Sequence, residues 1–157
     1  MSFNQYSQTL EELLIMEQFR NDYSGFPEGR LIKSESPDFI LDEMSETSIG
    51  IELTKLHGPT VNKLKTHYPL HVNGYWAPEF TRENIEYTIN AKNEKLHIYQ
   101  QKKLNRLWLL ITVDLDEKMT CANQFDRLAE WCFFSGFHKI FLFEMKSNSV
   151  FELNVCS

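Results

Sequence analysis

The chain has 157 residues, 42% hydrophobic and 24% charged, with 16 basic and 22 acidic residues giving a formal charge of −6. That size and composition fit one globular domain over 1–157 and exclude a disordered chain. No apolar run approaches the ~20 residues that cross a bilayer, and Met1–Leu10 lacks the basic-then-apolar start of a secretory signal. The expectation is a cytoplasmic protein with no membrane partner. The three cysteines, Cys121, Cys132 and Cys156, form no CxxC pair, which suits a reducing compartment and offers no zinc site. Proteins held to nucleic acid by charge alone are usually basic, so the acidic balance weighs against such a partner. A carboxylate cluster that binds Mg²⁺ would also make a chain acidic.

The first element reads as a helix over about Thr9–Arg20. Thr9 and Glu12 have capping-box spacing, and Leu10, Leu13, Leu14 and Phe19 give an apolar side. Ser24-Gly25-Phe26-Pro27-Glu28-Gly29 ends it. Three short strands follow, at Leu31–Ser34, Phe39–Leu41 and Ile49–Leu56, with a polar hairpin turn over Asp42–Ser48. Residues 57–80 hold Gly58-Pro59, Pro69, Gly74 and Pro78 and read as a long loop insertion of the kind that is often functional.

Within that loop region His57, His67 and His71 are spaced ten and four apart, which matches no strong zinc pattern. Tyr75-Trp76 could stack on a base or fold back over the core. A long helix is expected from Thr81 to about Lys103, with Lys102 and Lys103 as C-terminal charges on a solvated face. Leu107–Val113 is a continuous apolar run suited to a strand covered on both faces. Cys121–Ser135 has helical spacing, with Gly136 as its stop. Ile140–Met145 and Val150–Val155 read as closing strands.

Two acids carry the chemical signal. Asp38 follows Pro37 at the start of one strand, and Glu52 lies among apolar residues in the next. A hairpin would bring them side by side. Converging carboxylates repel unless a proton or a cation lies between them. Hard oxygen donors of this kind suit Mg²⁺.

With Pro37-Asp38 opening the second strand, Glu52 in the third, and helices before and after, the chain resembles the PD-(D/E)XK nucleases, the restriction endonuclease-like superfamily. The likeness covers about Thr9–Val113. It implies an α/β fold, a mixed central sheet flanked by helices with an α-β-β-β-α-β core, to which the residue patterns add a C-terminal helix and two strands. It implies a metal-dependent endonuclease or exonuclease that hydrolyses phosphodiester bonds, Mg²⁺ or Mn²⁺ as cofactor, and nucleic acid as partner, DNA ahead of RNA. Asp38, Glu52 and the backbone carbonyl of Leu53 would then hold the metal, and Glu12 would hold its water shell; the alternative for Glu12 is the capping box.

One position departs from the family pattern. Two residues after Glu52 the family carries Lys, and this chain has Thr54. Lys55 is adjacent but should point to the opposite face of the strand. The second helix offers replacements. Ile85, Ile89, Leu96 and Tyr99 form a stripe, and at about 100° per residue Lys92 falls near its middle. Lys95 lies toward its edge as the second choice. Loss of the motif lysine also supports another reading, a catalytically inactive nuclease-fold domain that binds nucleic acid or a protein partner. An unrelated α/β domain with coincidental acids would keep Asp38 and Glu52 apart.

Overall fold

The computed structural model describes residues 3–43, 47–58, 81–113 and 127–156. Helix α1 (Phe3–Asp22) leads into strands β1 (Gly29–Lys33), β2 (Phe39–Glu43) and β3 (Ser48–Lys55). Helices α2 (Arg82–Asn93) and α3 (Leu96–Gln100) precede β4 (Arg106–Val113), β5 (Cys132–Phe134), β6 (Lys139–Glu144) and β7 (Ser149–Cys156). The fold is α/β. Its seven-stranded mixed sheet runs β1-β2-β3-β4-β6-β7-β5. β1, β2 and β3 form an antiparallel meander, β3, β4 and β6 are parallel, and β7 is antiparallel to β6.

Side-chain alternation along each strand divides the core in two. Trp108 and Leu110 of β4 join Phe39, Leu41, Ile49, Ile51, Phe141 and Phe143 against Ile15, Met16 and Phe19 of α1. Leu107, Leu109, Ile111 and Val113 face the other way, against Ile85 and Ile89 of α2 and Tyr99 of α3. The continuous run in β4 thus serves both layers.

Several elements differ from the sequence reading. Helix α1 begins six residues before Thr9, so Thr9 and Glu12 lie inside it rather than at a cap. Nothing from Phe3 to Arg20 breaks a helix, so none stops it starting earlier. Its buried side is Ile15, Met16 and Phe19, whereas Leu10 and Leu14 are 48% and 62% exposed. Two apolar stripes share this helix, and only the one facing the sheet is covered.

The helix expected over Thr81–Lys103 turns at Glu94–Lys95 and restarts as α3. The Thr81 hydroxyl caps α2 by accepting from the Asn84 amide at 3.1 Å. The helix expected over Cys121–Ser135 is corrected in its second half: Cys132–Phe134 is strand β5, parallel to β7, so three strands rather than two close the chain. Phe133 points inward and Phe134 is 72% exposed, a strand's alternation that helical spacing mimics over so few residues. Gly136 therefore follows a strand and stops no helix. Residues 121–126 of that expected helix lie outside the described residues, as do 59–80, which hold His67, His71 and Tyr75-Trp76. β5 also brings Cys132 and Cys156 together as a disulfide, with Cα atoms 5.8 Å apart. Odd cysteine count had hidden this pairing. No helix among the described residues is long and apolar enough to cross a membrane.

Candidate active site

The β2–β3 ladder runs from Asp42↔Ser48 to Phe39↔Ile51 and ends there. Continued by two residues, the same register would set Pro37 against Leu53. Proline has no N–H to donate. Side chains close the gap instead: the Leu53 amide donates to Asp38 Oδ2 at 2.8 Å, and the Asp38 amide donates to Glu52 Oε1 at 3.2 Å. The edge of β3 beyond Ile51 is thus held by two carboxylates.

Gly50 makes this approach possible. A Cβ there would lie 2.5 Å from Leu104 Cδ1, 2.7 Å from Pro37 Cγ and 2.9 Å from Leu107 Cδ2. Pro37 rests on the bare backbone of β3, and Asp38 follows it into place.

Glu52 points to the α2 side of the sheet, in register with Leu109. It is 6% exposed. Lys92 of α2 places its Nζ 3.0 Å from Glu52 Oε2, and the hydroxyl of Tyr99 donates to the same oxygen. Burial alone would raise the Glu52 pKa; hydrogen bonding with Asp38 and Tyr99, together with the Lys92 charge, outweighs it and holds the group below its ordinary range. Asp38 moves the other way. Burial first, then the hydrogen bond and charge of Glu52, push its pKa up to about 7. Burial and the Glu52 carboxylate also raise the Tyr99 phenol, so it stays a donor. Near neutrality the two carboxyls share one proton, and Lys92 balances the remaining charge.

A divalent ion is a chemically sensible replacement for that proton. Asp38 and Glu52 present hard oxygens. In a strand the carbonyl of a residue points to the same side as its amide, so Leu53 C=O faces the Asp38 side too. These donors fit Mg²⁺, which commonly takes one or two carboxylates and keeps several waters. Among the described residues no three His, Cys, Asp or Glu side chains gather into a metal-binding group, so the fit rests on the carboxylate pair and the carbonyl.

The remaining candidates separate. Glu12 reaches from α1 toward the site but binds Lys33, its Oε2 3.0 Å from Nζ. Lys92 is at the site, as its phase in the helix predicts. Lys95 is not brought to it: the turn between α2 and α3 leaves it exposed as the N-cap of α3. Thr54 shares the Glu52 face, in register with Ile111, and among the described residues its hydroxyl approaches the Lys55 carbonyl, at 3.5 Å. Lys55 points away, 3.4 Å from Glu11 of α1.

Two site residues escaped the sequence reading. Tyr99 belongs to the apolar stripe of the sequence, where its ring alone accounts for its position. Lys33 gave no signal until the β1–β2 register set it opposite Phe39. Its Nζ donates to the carbonyls of Ser34 at 2.8 Å and Asp38 at 3.1 Å, and lies 3.8 Å from Asp38 Oδ1. Lys102 also turns back from α3, donating to Ser34 Oγ at 2.5 Å. No protein-family model matches the chain, and no curated protein or solved structure is significantly similar to it.

Proposed function

We propose that the chain is a Mg²⁺- or Mn²⁺-dependent nuclease of the PD-(D/E)XK kind, hydrolysing phosphodiester bonds in nucleic acid. The observation that carries the reading is the meeting of half-buried Asp38 and buried Glu52 beside the ammonium of Lys92, at the edge of β3 that β2 leaves open. The order helix, three-stranded meander, helix, parallel strand supports the restriction endonuclease-like arrangement of that core.

Asp38, Glu52 and the Leu53 carbonyl would hold the ion. When bound, it supplies Lewis acidity toward a phosphate oxygen and a coordinated water of lowered pKa. The chain's own groups do the rest. Tyr99 and Lys92 fix Glu52 by two donors on one oxygen, so the carboxylate is oriented before any substrate arrives. Lys92 also brings a positive charge to the site, where charge develops on a phosphate under attack.

A second reading keeps the fold and drops the catalysis, leaving a domain that binds nucleic acid or a protein. Thr54 favours it, because a hydroxyl in the motif-lysine position supplies no charge. One titration separates the two. The chain is heated in increasing Mg²⁺ or Mn²⁺ and assayed on single- and double-stranded DNA and RNA. A nuclease gains thermal stability by mass action, cleaves, and loses both in Asp38→Ala. No shift beyond that produced by a monovalent salt of equal ionic strength, and no cleavage, leaves the inactive domain.

A further inference from the structure

We propose that Lys33 is the positioning residue of the carboxylate pair, the cation that fixes Asp38 at the point where β2 leaves β3. Its ammonium is held on several sides. It donates to the Ser34 and Asp38 carbonyls, pairs with Glu12 Oε2 at 3.0 Å, and stands 3.8 Å from Asp38 Oδ1. Its Nζ lies 5.0 Å from the centroid of the Phe39 ring. An ammonium has three protons to give, and here backbone and carboxylate oxygens take them. Lys33 is therefore a fixed bracket between α1, the end of β1 and the start of β2. The Ser34 amide adds a 2.7 Å bond to the Asp38 carbonyl, closing the turn around it.

This divides between two residues the work that a lysine at position 54 would do alone. Lys33 serves Asp38 from the α1 side, and Lys92 serves Glu52 from the α2 side. Glu12, the Asp38–Glu52 pair with its shared proton, and the ammoniums of Lys33 and Lys92 sum to a formal charge of zero, and exchanging that proton for a divalent ion leaves +1, the complement of one phosphodiester.

The inference rests on the nuclease reading only for its ion-binding arm. Lys33→Met keeps the stem over Phe39 and removes the charge. The first readout is amide exchange at Leu53, whose N–H is held by Asp38 Oδ2. Without Lys33 that amide should exchange about tenfold faster while the β4 amides keep their protection. The second is Mn²⁺ affinity, followed by the electron-spin signal of free Mn²⁺. It should weaken by about 10–100-fold, as when a group that orients a ligand is lost, and Lys33→Arg should recover part of it.

Unchanged Leu53 exchange overturns the proposal. So does tighter Mn²⁺ binding in Lys33→Met, which would make Lys33 a mere competitor of the ion. Should the wild-type chain bind no Mn²⁺, the nuclease reading falls, and Lys33 is judged on the Leu53 amide alone. Should Lys33→Met not fold, Glu12→Gln loosens the same bracket from its far end, and the Leu53 amide must again exchange faster.

Discussion

Lys92 Nζ on α2 and Glu52 Oε2 on β3 lie 3.0 Å apart, with side chains only 17% and 8% exposed. Removing one member of such a pair leaves a buried charge without its partner. Lys92→Met should lower stability by roughly 2–3 kcal/mol, somewhat under the usual cost because Tyr99 and the Asp38 amide still hold Glu52. Urea unfolding measures it. Adding Glu52→Gln should recover much of the loss, since no orphan charge then remains; an additive double mutant would mean that the two side chains do not act as a pair.

Tyr99→Phe tests the second donor on Glu52. The ring stays packed beside Phe137, and only the hydroxyl is lost. A hydrogen bond to a carboxylate is worth about 2 kcal/mol, so a melting temperature unchanged by the substitution would count against the bond. Any nuclease activity should fall with it, because Glu52 is then held by Lys92 and the Asp38 amide alone.

Six of the seven strands and the acid pair were legible because they follow short-range rules. The apolar runs of β3 and β4 had nowhere to go but a sheet, and a hairpin between Asp38 and Glu52 left little choice of where the acids meet. Lys92 was legible from helical phase alone. Lys33 and Tyr99 were not, for two reasons. The role of Lys33 depends on the β1–β2 register and on a glutamate from a helix on one face of the sheet, contacts that no local pattern encodes. A tyrosine in an apolar stripe looks the same whether its hydroxyl is wasted or used. The inward face of α1 was misread because two apolar stripes compete on one helix, and only the sheet decides between them. β5 escaped because three residues are too few for periodicity to tell strand from helix.

The raised Asp38 pKa makes a signed prediction. In the unfolded chain this carboxyl titrates near its ordinary 3.8, and in the fold near about 7. Between those values the folded state binds the extra proton, so stability should fall as pH rises through the window. Glu52 is shifted the opposite way, so its contribution is complete above its ordinary 4.5. From pH 4.5 to 7 the wild-type curve should therefore slope downward relative to that of Asp38→Asn, which has no proton to lose there. Parallel denaturation curves across that range would show that Asp38 is not shifted. Mg²⁺, which replaces the shared proton, should stabilise more at pH 7.5 than at pH 5.

Gly50→Ala separates the geometry of the site from its chemistry, because it touches neither carboxylate. Its Cβ would press on Pro37 Cγ, Leu104 Cδ1 and Leu107 Cδ2. The two leucine tips can shift, but the proline ring cannot turn without moving the peptide that carries Asp38. The expected cost is about 1–3 kcal/mol, typical of an overfilled site. The more telling result lies in ion binding. If Pro37 places Asp38 by resting on Gly50, the alanine variant should remain folded yet lose most of its thermal response to Mn²⁺, much as Asp38→Ala does. A variant destabilised to this extent that kept the full Mn²⁺ response would mean that Asp38 is positioned from the Lys33 side alone, and that the contact between Pro37 and β3 serves only packing.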